Sequence, residues 1–447
     1  MDLNSLTAIS PVDGRYRKKT SELANFFSEY ALMRYRTLVE VEYFISLCGI
    51  TLPPLSDIDR NKLVTLRNIY LDFSMVDALK IKEYEKTTNH DVKALEYFLK
   101  DRFTEAGLGK WEEFIHFSLT SQDINNTALP LSIKDAMAQS YSPLLLEIRE
   151  SLSSMADEWK DVPMLAHTHG QPATPTRAGK EIAVFISRLD EQTKYFSQIP
   201  FSAKFGGASG NMNAHVVAFP QIDWNEFADN FVNDVLGLKR SFPTTQIEHY
   251  DNLAALFDNM RRINVILIDF CRDMWIYISM DYFRQKVKKG EVGSSAMPHK
   301  INPIDFENAE GNFGIANALF GHMAEKLPLS RLQRDLTDST VTRNIGVAFA
   351  HTVIAFTSLL KGLSKLIINE ERMKADLEKN WVVVSEAIQT ILRREGYEKP
   401  YEALLELTRK EDFVTKADIL NFIDSLNINE KLKDELRAIT PFNYTGI

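Results

Sequence analysis

The stretch from residue 290 to residue 303 carries the side chains best suited to chemistry in this chain. It reads Gly-Glu-Val-Gly-Ser-Ser-Ala-Met-Pro-His-Lys-Ile-Asn-Pro, which places the adjacent hydroxyls of Ser294 and Ser295 shortly before Lys300 and Asn302. Abstraction of a proton next to a carboxylate needs a base, together with donors directed at the charge that develops. Two hydroxyls, an ammonium group, an amide and the N–H groups of a glycine-containing loop meet that need. The pattern therefore predicts a catalytic loop.

A second candidate lies at residues 167–175, which read His-Thr-His-Gly-Gln-Pro-Ala-Thr-Pro and come just before a predicted helix. Two histidines at positions i and i+2 are compatible with metal ligation, but no third or fourth ligand lies nearby, so we predict no metal site. Histidine changes its charge near neutral pH, which makes His169 a better candidate for a general acid. The alternative for the same side chain is a helix cap.

Three further polar stretches could bind an anionic substrate. Residues 87–91 (Thr-Thr-Asn-His-Asp) precede a helix that Asp or Asn is positioned to cap. Residues 116–126 (His-Phe-Ser-Leu-Thr-Ser-Gln-Asp-Ile-Asn-Asn) begin another helix and carry spare hydroxyl and amide donors. Residues 330–344 combine three arginines with hydroxyl side chains, and the planar fork of arginine suits phosphate and carboxylate. Each stretch has an ordinary alternative, which is a helix cap for the first two and a solvated, salt-bridged helix start for the third.

The elements that position these residues are predicted to be helices, because helical periodicity of apolar residues dominates the sequence. The segment Ser21–Cys48 contains neither Gly nor Pro and precedes Gly49, a natural stop. From residue 253 to residue 277, apolar residues recur at alternating spacings of three and four, which is a heptad seam. Other faces of this segment are apolar too, so we expect the helix to lie inside a bundle. Further long helices are predicted at residues 131–158, with a kink at Pro143, and at 176–198, 306–326 and 344–367.

The composition is that of an ordinary soluble protein of 447 residues, with 45% hydrophobic and 25% charged residues. The formal net charge of −9 argues against a dedicated nucleic-acid binder. No apolar run reaches the ~18 residues of a membrane span. The two cysteines form no disulfide framework, and the amino terminus shows no secretory signal. We therefore expect a cytoplasmic protein that binds neither nucleic acid nor membrane.

These elements predict an all-α protein with three helical domains. The domains are an N-terminal helical domain at residues 1–112, a central long-helix bundle at residues 113–365 with the catalytic loop at residues 284–303, and a C-terminal helical domain at residues 366–447. The last begins near Asn369, where two glutamates favour a helix start. Long helices with several apolar faces need partners, so we expect a homo-oligomer.

The serine-containing stretch resembles the catalytic loop of the fumarase/aspartase superfamily, whose members release fumarate by breaking a C–N or C–O bond. Residues 168–172 (Thr-His-Gly-Gln-Pro) resemble the region whose histidine protonates the leaving group in that family. Residues 10–16 (Ser-Pro-Val-Asp-Gly-Arg-Tyr), 244–248 (Thr-Thr-Gln-Ile-Glu), 305–308 (Asp-Phe-Glu-Asn) and 330–344 are similar to those of its purine-pathway member. The resemblance covers nearly the whole chain, with the motifs in the same order.

The resemblance implies β-elimination of fumarate from adenylosuccinate, giving AMP, and from the ribotide SAICAR, giving AICAR. Ser294 would remove the Cβ proton and His169 would protonate the departing nitrogen. No metal or organic cofactor is implied, because the carboxylate of the substrate acts as the electron sink. The residues that the resemblance implies for binding the nucleotide, its phosphate and the succinyl part are Arg15, Tyr16, Asn89, His90, Asp91, Thr120, Ser121, Gln246, Ser295, Lys300, Asn302, Asn308, Arg334, Ser339, Thr340, Thr342 and Arg343.

The resemblance also implies a homotetramer in which the long central helices form one bundle and each site takes segments from three chains. Two alternatives stay open. One is a family member with a different leaving group, of the argininosuccinate lyase or fumarase type. The other is a non-catalytic structural protein on the same scaffold, as in the lens crystallins of this superfamily. That role predicts a damaged serine loop or a lost histidine, and both are intact here.

Overall fold

The computed structural model describes residues 4–50, 52–286, 301–408 and 414–447. Most of these residues are helical, so the predicted all-α class is confirmed. The α-helices, in chain order, are α1 (Arg17–Thr20), α2 (Ala24–Phe27), α3 (Glu29–Gly49), α4 (Arg60–Leu66), α5 (Asn68–Leu71), α6 (Met75–Thr88), α7 (Asp91–Glu105), α8 (Ser121–Ala136), α9 (Ser142–Glu158), α10 (Ala178–Phe196), α11 (Asn213–Ala218), α12 (Trp224–Asp229), α13 (Asp251–Ser279), α14 (Ile304–Lys326), α15 (Thr337–Thr342), α16 (Ile345–Leu363), α17 (Glu370–Lys379), α18 (Ser385–Arg394), α19 (Pro400–Thr408), α20 (Lys416–Ser425) and α21 (Glu430–Arg437).

Short strands form four two-stranded sheets among the described residues. The strands are β1 (Pro163–Met164), β2 (His167–Thr168), β3 (Gln171–Pro172), β4 (Thr176–Arg177), β5 (Ser202–Lys204), β6 (Lys239–Ser241), β7 (Phe283–Gln285) and β8 (Leu366–Ile368). The pairs β1–β4, β2–β3 and β7–β8 are antiparallel, and β5–β6 is parallel. With two or three residues per strand, these sheets join loops rather than form a layer.

The chain divides into two compact units, each assembled from three separate segments. Unit 1 comprises Met1–Leu145, Gln192–Val265 and Gly311–Thr357, and unit 2 comprises Leu146–Glu191, Ile266–Glu310 and Ser358–Ile447. The three predicted domains at residues 1–112, 113–365 and 366–447 stay a prediction.

The core of unit 1 is built around α3, most of whose side chains are buried. The buried ring of Tyr43 lies 5.5 to 6.0 Å from the rings of Phe205, Phe227 and Phe231, as is usual for aromatic side chains packed edge to face. α3 also packs against α8. This packing fixes the start of α8, which carries several of the predicted binding residues.

Two helix boundaries differ from the prediction. The segment Ser21–Cys48 is interrupted at Ser28, whose backbone is extended and whose hydroxyl accepts a hydrogen bond from the N–H of Ala31 at 3.1 Å, so that it caps α3. The predicted helix at residues 131–158 begins instead at Ser121, and a π-helical turn at Met137–Tyr141 separates α8 from α9. The turn immediately precedes Pro143, which has no N–H for the carbonyl four residues before it.

The predicted heptad seam is the buried face of α13, since all its residues from Leu256 to Met274 are at most 2% exposed. A second face of α13 is partly exposed to solvent. On it, the side chains of Val265, Trp275 and Ile276 are 52%, 45% and 47% exposed. The described residues of one chain therefore do not enclose this helix on all sides, and its place inside a bundle stays a prediction.

Unit 2 contains a second apolar cluster built on α17 to α21, in which Leu377, Ile388 and Ile423 are fully buried. Asn369 caps α17 through its side chain, as predicted from the sequence.

The stretch Thr337–Leu363 is long and apolar enough to cross a membrane by length and composition, but 72% of its apolar window is buried inside the protein. It therefore has the character of a core helix.

Candidate functional site

A cleft of about 640 Å³ in unit 1 brings together segments that are far apart in sequence. Its walls come from α2 and α3, from the junction of α6 and α7, from α8 and from the α15 region. Eight of the predicted binding residues line it, namely Asn89, His90, Asp91, Ser121, Arg334, Ser339, Thr342 and Arg343.

The junction of α6 and α7 forms one wall of the cleft. Asn89 ends α6 in the left-handed conformation, with φ of 50°, and is not the cap of the next helix. That cap is His90, whose Nδ1 accepts a hydrogen bond from the N–H of Lys93 at 3.1 Å. The expectation that Asp or Asn caps this helix is therefore wrong. Since Asn89 adopts a positive φ readily, it allows the sharp reversal that brings His90 and Asp91 to the cleft.

Asp91 is the charged centre of this wall. Its Oδ2 lies 2.7 Å from Nη2 of Arg36 and 3.9 Å from Nη2 of Arg343. Burial alone raises the pKa of the Asp91 carboxyl, but the charge and hydrogen bond of Arg36 outweigh burial and hold it below its usual range. Arg36 is itself buried and donates through Nε to Asn125 Oδ1 at 2.8 Å. Arg36 was not predicted, because no motif surrounds it in the helical segment Ser21–Cys48.

A second part of the lining carries Arg334. Its Nη1 donates to Gln246 Oε1 at 3.2 Å, and its Nη2 donates to Ser339 Oγ at 3.4 Å. Its Nε is buried and has no hydrogen-bond partner among the residues that the structure describes. Thr342 donates to the carbonyl of Asp338, one turn earlier in α15, at 3.0 Å. The guanidinium is thus held by two neutral acceptors and keeps its full charge at the cleft.

A buried polar group centred on Tyr250, which no sequence motif indicated, forms part of the lining of the cleft. Asn126 Nδ2 donates to the hydroxyl of Tyr250 at 2.7 Å, and that hydroxyl donates to Asp338 Oδ2 at 3.2 Å. Burial raises the pKa of Tyr250, so the phenol stays protonated. Asn126 Oδ1 also accepts from the N–H of Glu248 at 2.9 Å. The bonds through Tyr250 join α8 to α15 within the lining of the cleft.

The other predicted residues of unit 1 are not among those that line the cleft. Thr120 is the residue just before α8, and Gln246 reaches the cleft through its bond to Arg334. The guanidinium of Arg15 lies 6.0 Å from the centre of the Tyr16 ring, close to the start of the chain, and Thr340 is exposed on α15. The roles of these residues stay predictions.

His169 belongs to unit 2 and is exposed at the tip of a hairpin. β2 and β3 are joined by His169 and Gly170, whose φ angles of 53° and 73° are both positive, as in a type I′ turn. The imidazole of His169 is therefore exposed to solvent, and the short β2–β3 hairpin fixes the position of its backbone.

The predicted catalytic loop lies mostly outside the described residues, and Ser294, Ser295 and Lys300 are among those not described. One hydrogen bond joins the two described ends of the loop directly, from Gln285 Nε2 to the carbonyl of Ile301 at 3.4 Å. Lys365 joins them indirectly, since its Nζ donates to Asp305 Oδ2 at 2.8 Å. Lys365 also accepts through its carbonyl from the N–H of Lys286 at 2.7 Å.

Two further predicted residues lie at the end of the loop and just beyond it. Asn302 precedes α14, and Asn308 lies on that helix, where its Oδ1 accepts from Ser358 Oγ at 2.7 Å. Among the described ranges, no group of three or more His, Cys, Asp or Glu side chains could hold a metal ion.

Comparison with known proteins relates the sequence to two family models. Residues 14–317 match the model described as Lyase, and residues 330–445 match the model described as Adenylosuccinate lyase C-terminal. The chain is 58% identical to the adenylosuccinate lyase of Dictyostelium discoideum and 48% identical to that of Vibrio cholerae. Both alignments cover 100% of this chain and 98% of the relative.

The fold also has relatives among solved structures. A fumarate lyase from Mesorhizobium superposes with a TM-score of 0.74 at 18% sequence identity, over 95% of each chain. At this level of identity, the superposition relates the folds alone. The two proteins therefore share one helical fold.

Proposed function

Since the chain belongs to the adenylosuccinate lyase family, we propose that it eliminates fumarate from adenylosuccinate, giving AMP, and from SAICAR, giving AICAR. The family makes it a C–N lyase. The observation that best supports these substrates is the unit 1 cleft, whose lining includes Arg334, Arg343 and the hydroxyl side chains of Ser339 and Thr342 around a space of about 640 Å³. A monophosphate dianion needs such a set of donors.

We assign the phosphate to Arg334, Arg343 and Ser339. Arg343 is available for this because Asp91 is satisfied mainly by Arg36, which is 2.7 Å away, against 3.9 Å for Arg343. The pairing with Arg36 also reduces the repulsion that the Asp91 carboxylate would exert on a phosphate. An acceptor oxygen beside Nε of Arg334 would relieve the penalty of ~1–3 kcal/mol for a buried donor without a partner.

The proton transfers are assigned to His169 and Ser294. Ser294 would remove the proton from Cβ of the succinyl group, and the electron pair of that C–H bond would pass transiently to the adjacent carboxylate. This pair then forms the Cα=Cβ bond of fumarate as the C–N bond breaks, and the nitrogen keeps the C–N pair and takes a proton from His169. A serine hydroxyl is a weak base unless its alkoxide is stabilised, which is the role proposed for Lys300. Asn302 would help to hold the developing dianion.

The roles of the remaining residues follow from the family resemblance. Thr120, Ser121, Gln246, Ser295 and Asn308 would hold the succinyl part through hydroxyl and amide groups. Arg15 and Tyr16, with Thr340 and Thr342, would bind the nucleotide. Asn89, His90 and Asp91 would contact the phosphate or orient His169.

We further propose that the protein is a cytoplasmic homotetramer with shared sites. The apolar side chains that α13 leaves exposed, Val265, Trp275 and Ile276, support an assembly through this helix. Each site would take the region at residues 87–121, the loop holding His169 and the loop holding Ser294 from three different chains. Light scattering or sedimentation would measure the mass of the assembly.

Release of fumarate from adenylosuccinate is the direct test of the activity. Purified protein should release fumarate and AMP from adenylosuccinate and fumarate and AICAR from SAICAR, with malate and argininosuccinate as control substrates. Fumarate from either control, without any from adenylosuccinate, would assign a different leaving group and overturn the proposal.

Mixing two inactive variants tests the shared site. His169→Ala and Ser294→Ala proteins, each inactive, should regain activity when they are unfolded and refolded together. If the two residues of a site come from different chains, roughly a quarter of the sites in random tetramers carry neither change. Inactivity of verified mixed tetramers would place both residues of a site in one chain.

A further inference from the structure

A buried ion pair in unit 1 lies close to the predicted succinyl-binding residues but does not line the cleft. Lys204 Nζ donates to Asp123 Oδ1 at 2.7 Å, and both side chains have an exposed fraction of 0%. Removing two charges from water is unfavourable, and apolar residues of similar volume often stabilise a fold as well or better. Stability alone therefore does not explain why this ion pair is buried here. Its neighbour is a loop at residues 206–210, here called the glycine turn.

Asp123 joins the glycine turn to the beginning of α8. Its Oδ1 accepts from the N–H groups of Gly206 and Gly207 at 2.8 and 3.1 Å, and its Oδ2 accepts from the N–H of Thr120 at 2.8 Å. Lys204 Nζ donates in addition to the carbonyl of Gly207 at 2.6 Å. One carboxylate and one ammonium group thus satisfy backbone groups of both segments, as buried charges require.

The glycine turn is hydrogen-bonded directly to the side chain of Gln246. Gln246 Nε2 donates to the carbonyl of Ala208 at 3.1 Å, while its Oε1 accepts from Arg334 Nη1 at 3.2 Å. Gly210, with φ of 82°, packs so closely on Thr244 that a Cβ at this position would overlap the Thr244 carbonyl. The turn is therefore in firm contact with the segment that carries Gln246.

We propose that Lys204 and Asp123 are positioning residues for the lyase reaction. The pair sets the distance between the start of α8, with Thr120 and Ser121, and the side chain of Gln246, and it acts through the glycine turn without touching the substrate. This inference rests on the proposed function, in which these three residues hold the succinyl part.

Replacement of Lys204 by methionine tests the proposal, because it removes the charge and keeps the length of the side chain. We expect kcat/KM for adenylosuccinate to fall by at least ~10-fold, since small displacements of positioning groups have effects of this order. The inhibition constant of AMP, which lacks the succinyl part, should stay within about twofold of wild type, because its own contacts remain. A purely stabilising role predicts no such difference between substrate and AMP.

The chain offers a matched control in Arg102→Met. Asp77 accepts from the N–H of Ser74 at the start of α6 at 2.9 Å and pairs with Arg102, as Asp123 does with Thr120 and Lys204. No predicted site residue lies at the start of α6. This variant should lower the melting temperature and leave kcat/KM and the AMP constant unchanged.

The outcomes separate this inference from the proposed function. Wild-type protein that releases no fumarate would overturn both. Active wild type with an unchanged kcat/KM in folded Lys204→Met, or with kcat/KM and AMP affinity weakened alike, would overturn the positioning role alone.

If Lys204→Met does not fold, Lys204→Met/Asp123→Asn removes the uncompensated buried carboxylate and should fold. Its kcat/KM should show the same loss. Failure of this neutral pair to fold would assign the ion pair to the fold itself and would overturn the proposal.

Discussion

Replacing Arg334 by leucine should raise the KM for both adenylosuccinate and SAICAR. In the structure, the guanidinium makes two hydrogen bonds to neutral acceptors, Gln246 at 3.2 Å and Ser339 at 3.4 Å, and its buried Nε has no partner among the described residues. Neither bond neutralises the positive charge. The charge and the Nε donor therefore remain for a phosphate.

The size of the effect follows from the contacts that are lost. One hydrogen bond from a charged donor contributes ~1.5–3 kcal/mol. Since each 1.4 kcal/mol corresponds to a tenfold change in an equilibrium constant, the loss of one such contact should raise KM roughly 10- to 140-fold. Leucine keeps an apolar stem in place, so the melting temperature should change little.

Arg331→Leu is the control within the same segment. Its side chain is 79% exposed and lies 3.4 Å from Asp335, so its removal should change KM by less than about twofold. Both variants and the wild type would be compared by fumarate release over a range of substrate concentrations. A KM for Arg334→Leu as close to wild type as that of Arg331→Leu, in a folded protein, would refute the phosphate assignment.

Three other changes test the electrostatics and packing. Glu40 lies 2.6 Å from His116. Burial alone lowers the pKa of His116, but the charge and hydrogen bond of Glu40 raise it overall. The melting temperature of wild type should therefore exceed that of His116→Gln by the full amount below about pH 6.5, and this difference should vanish as the pH rises through the raised pKa. The pKa of Asp91 is lowered, so its pH dependence runs in the opposite direction. The melting temperature of wild type should exceed that of Asp91→Asn by the full amount above about pH 4, and this difference should be lost as the pH falls further. Gly346→Ala should lower stability by ~1–3 kcal/mol in thermal unfolding, because the new Cβ would overlap Phe27. A pH-independent difference in either of the first two comparisons, or an unchanged melting temperature in the third, would contradict the corresponding contact.

The helices were predictable where a periodic apolar pattern continues over many residues. The heptad seam of α13 and the cap at Asn369 are both found in the structure, since they depend on neighbours along the chain. Boundaries set by one side chain were not predictable. The break at Ser28 depends on its hydroxyl capping α3, and α8 continues through Pro130 because its packing outweighs the low helix propensity of proline.

The candidate site was predictable only in part, and by resemblance. Motifs identified Asp91, Arg334 and Arg343, which the fold brings to one cleft. Arg36 and Tyr250 had no local signal, because their partners Asp91 and Asp338 lie 55 and 88 residues away. Contacts at such separations are set by tertiary packing, which a single sequence does not reveal.

The hairpin that carries His169 also restricts what mutagenesis at this position reports. A positive φ of 53° is unfavourable for alanine but common for asparagine. His169→Asn therefore isolates the loss of the imidazole better than His169→Ala, whose effect includes a strained turn.

The discontinuity of both units has a consequence for biosynthesis. Unit 1 receives its last segment, Gly311–Thr357, only after about 70% of the 447 residues have been made, and unit 2 continues to Ile447. Domains usually fold as the ribosome releases them, and incomplete ones expose apolar surface. Neither unit can close its core before most of the chain has emerged, so the nascent protein needs protection from aggregation for most of its synthesis. The same discontinuity means that no single cut releases either unit as an intact fragment.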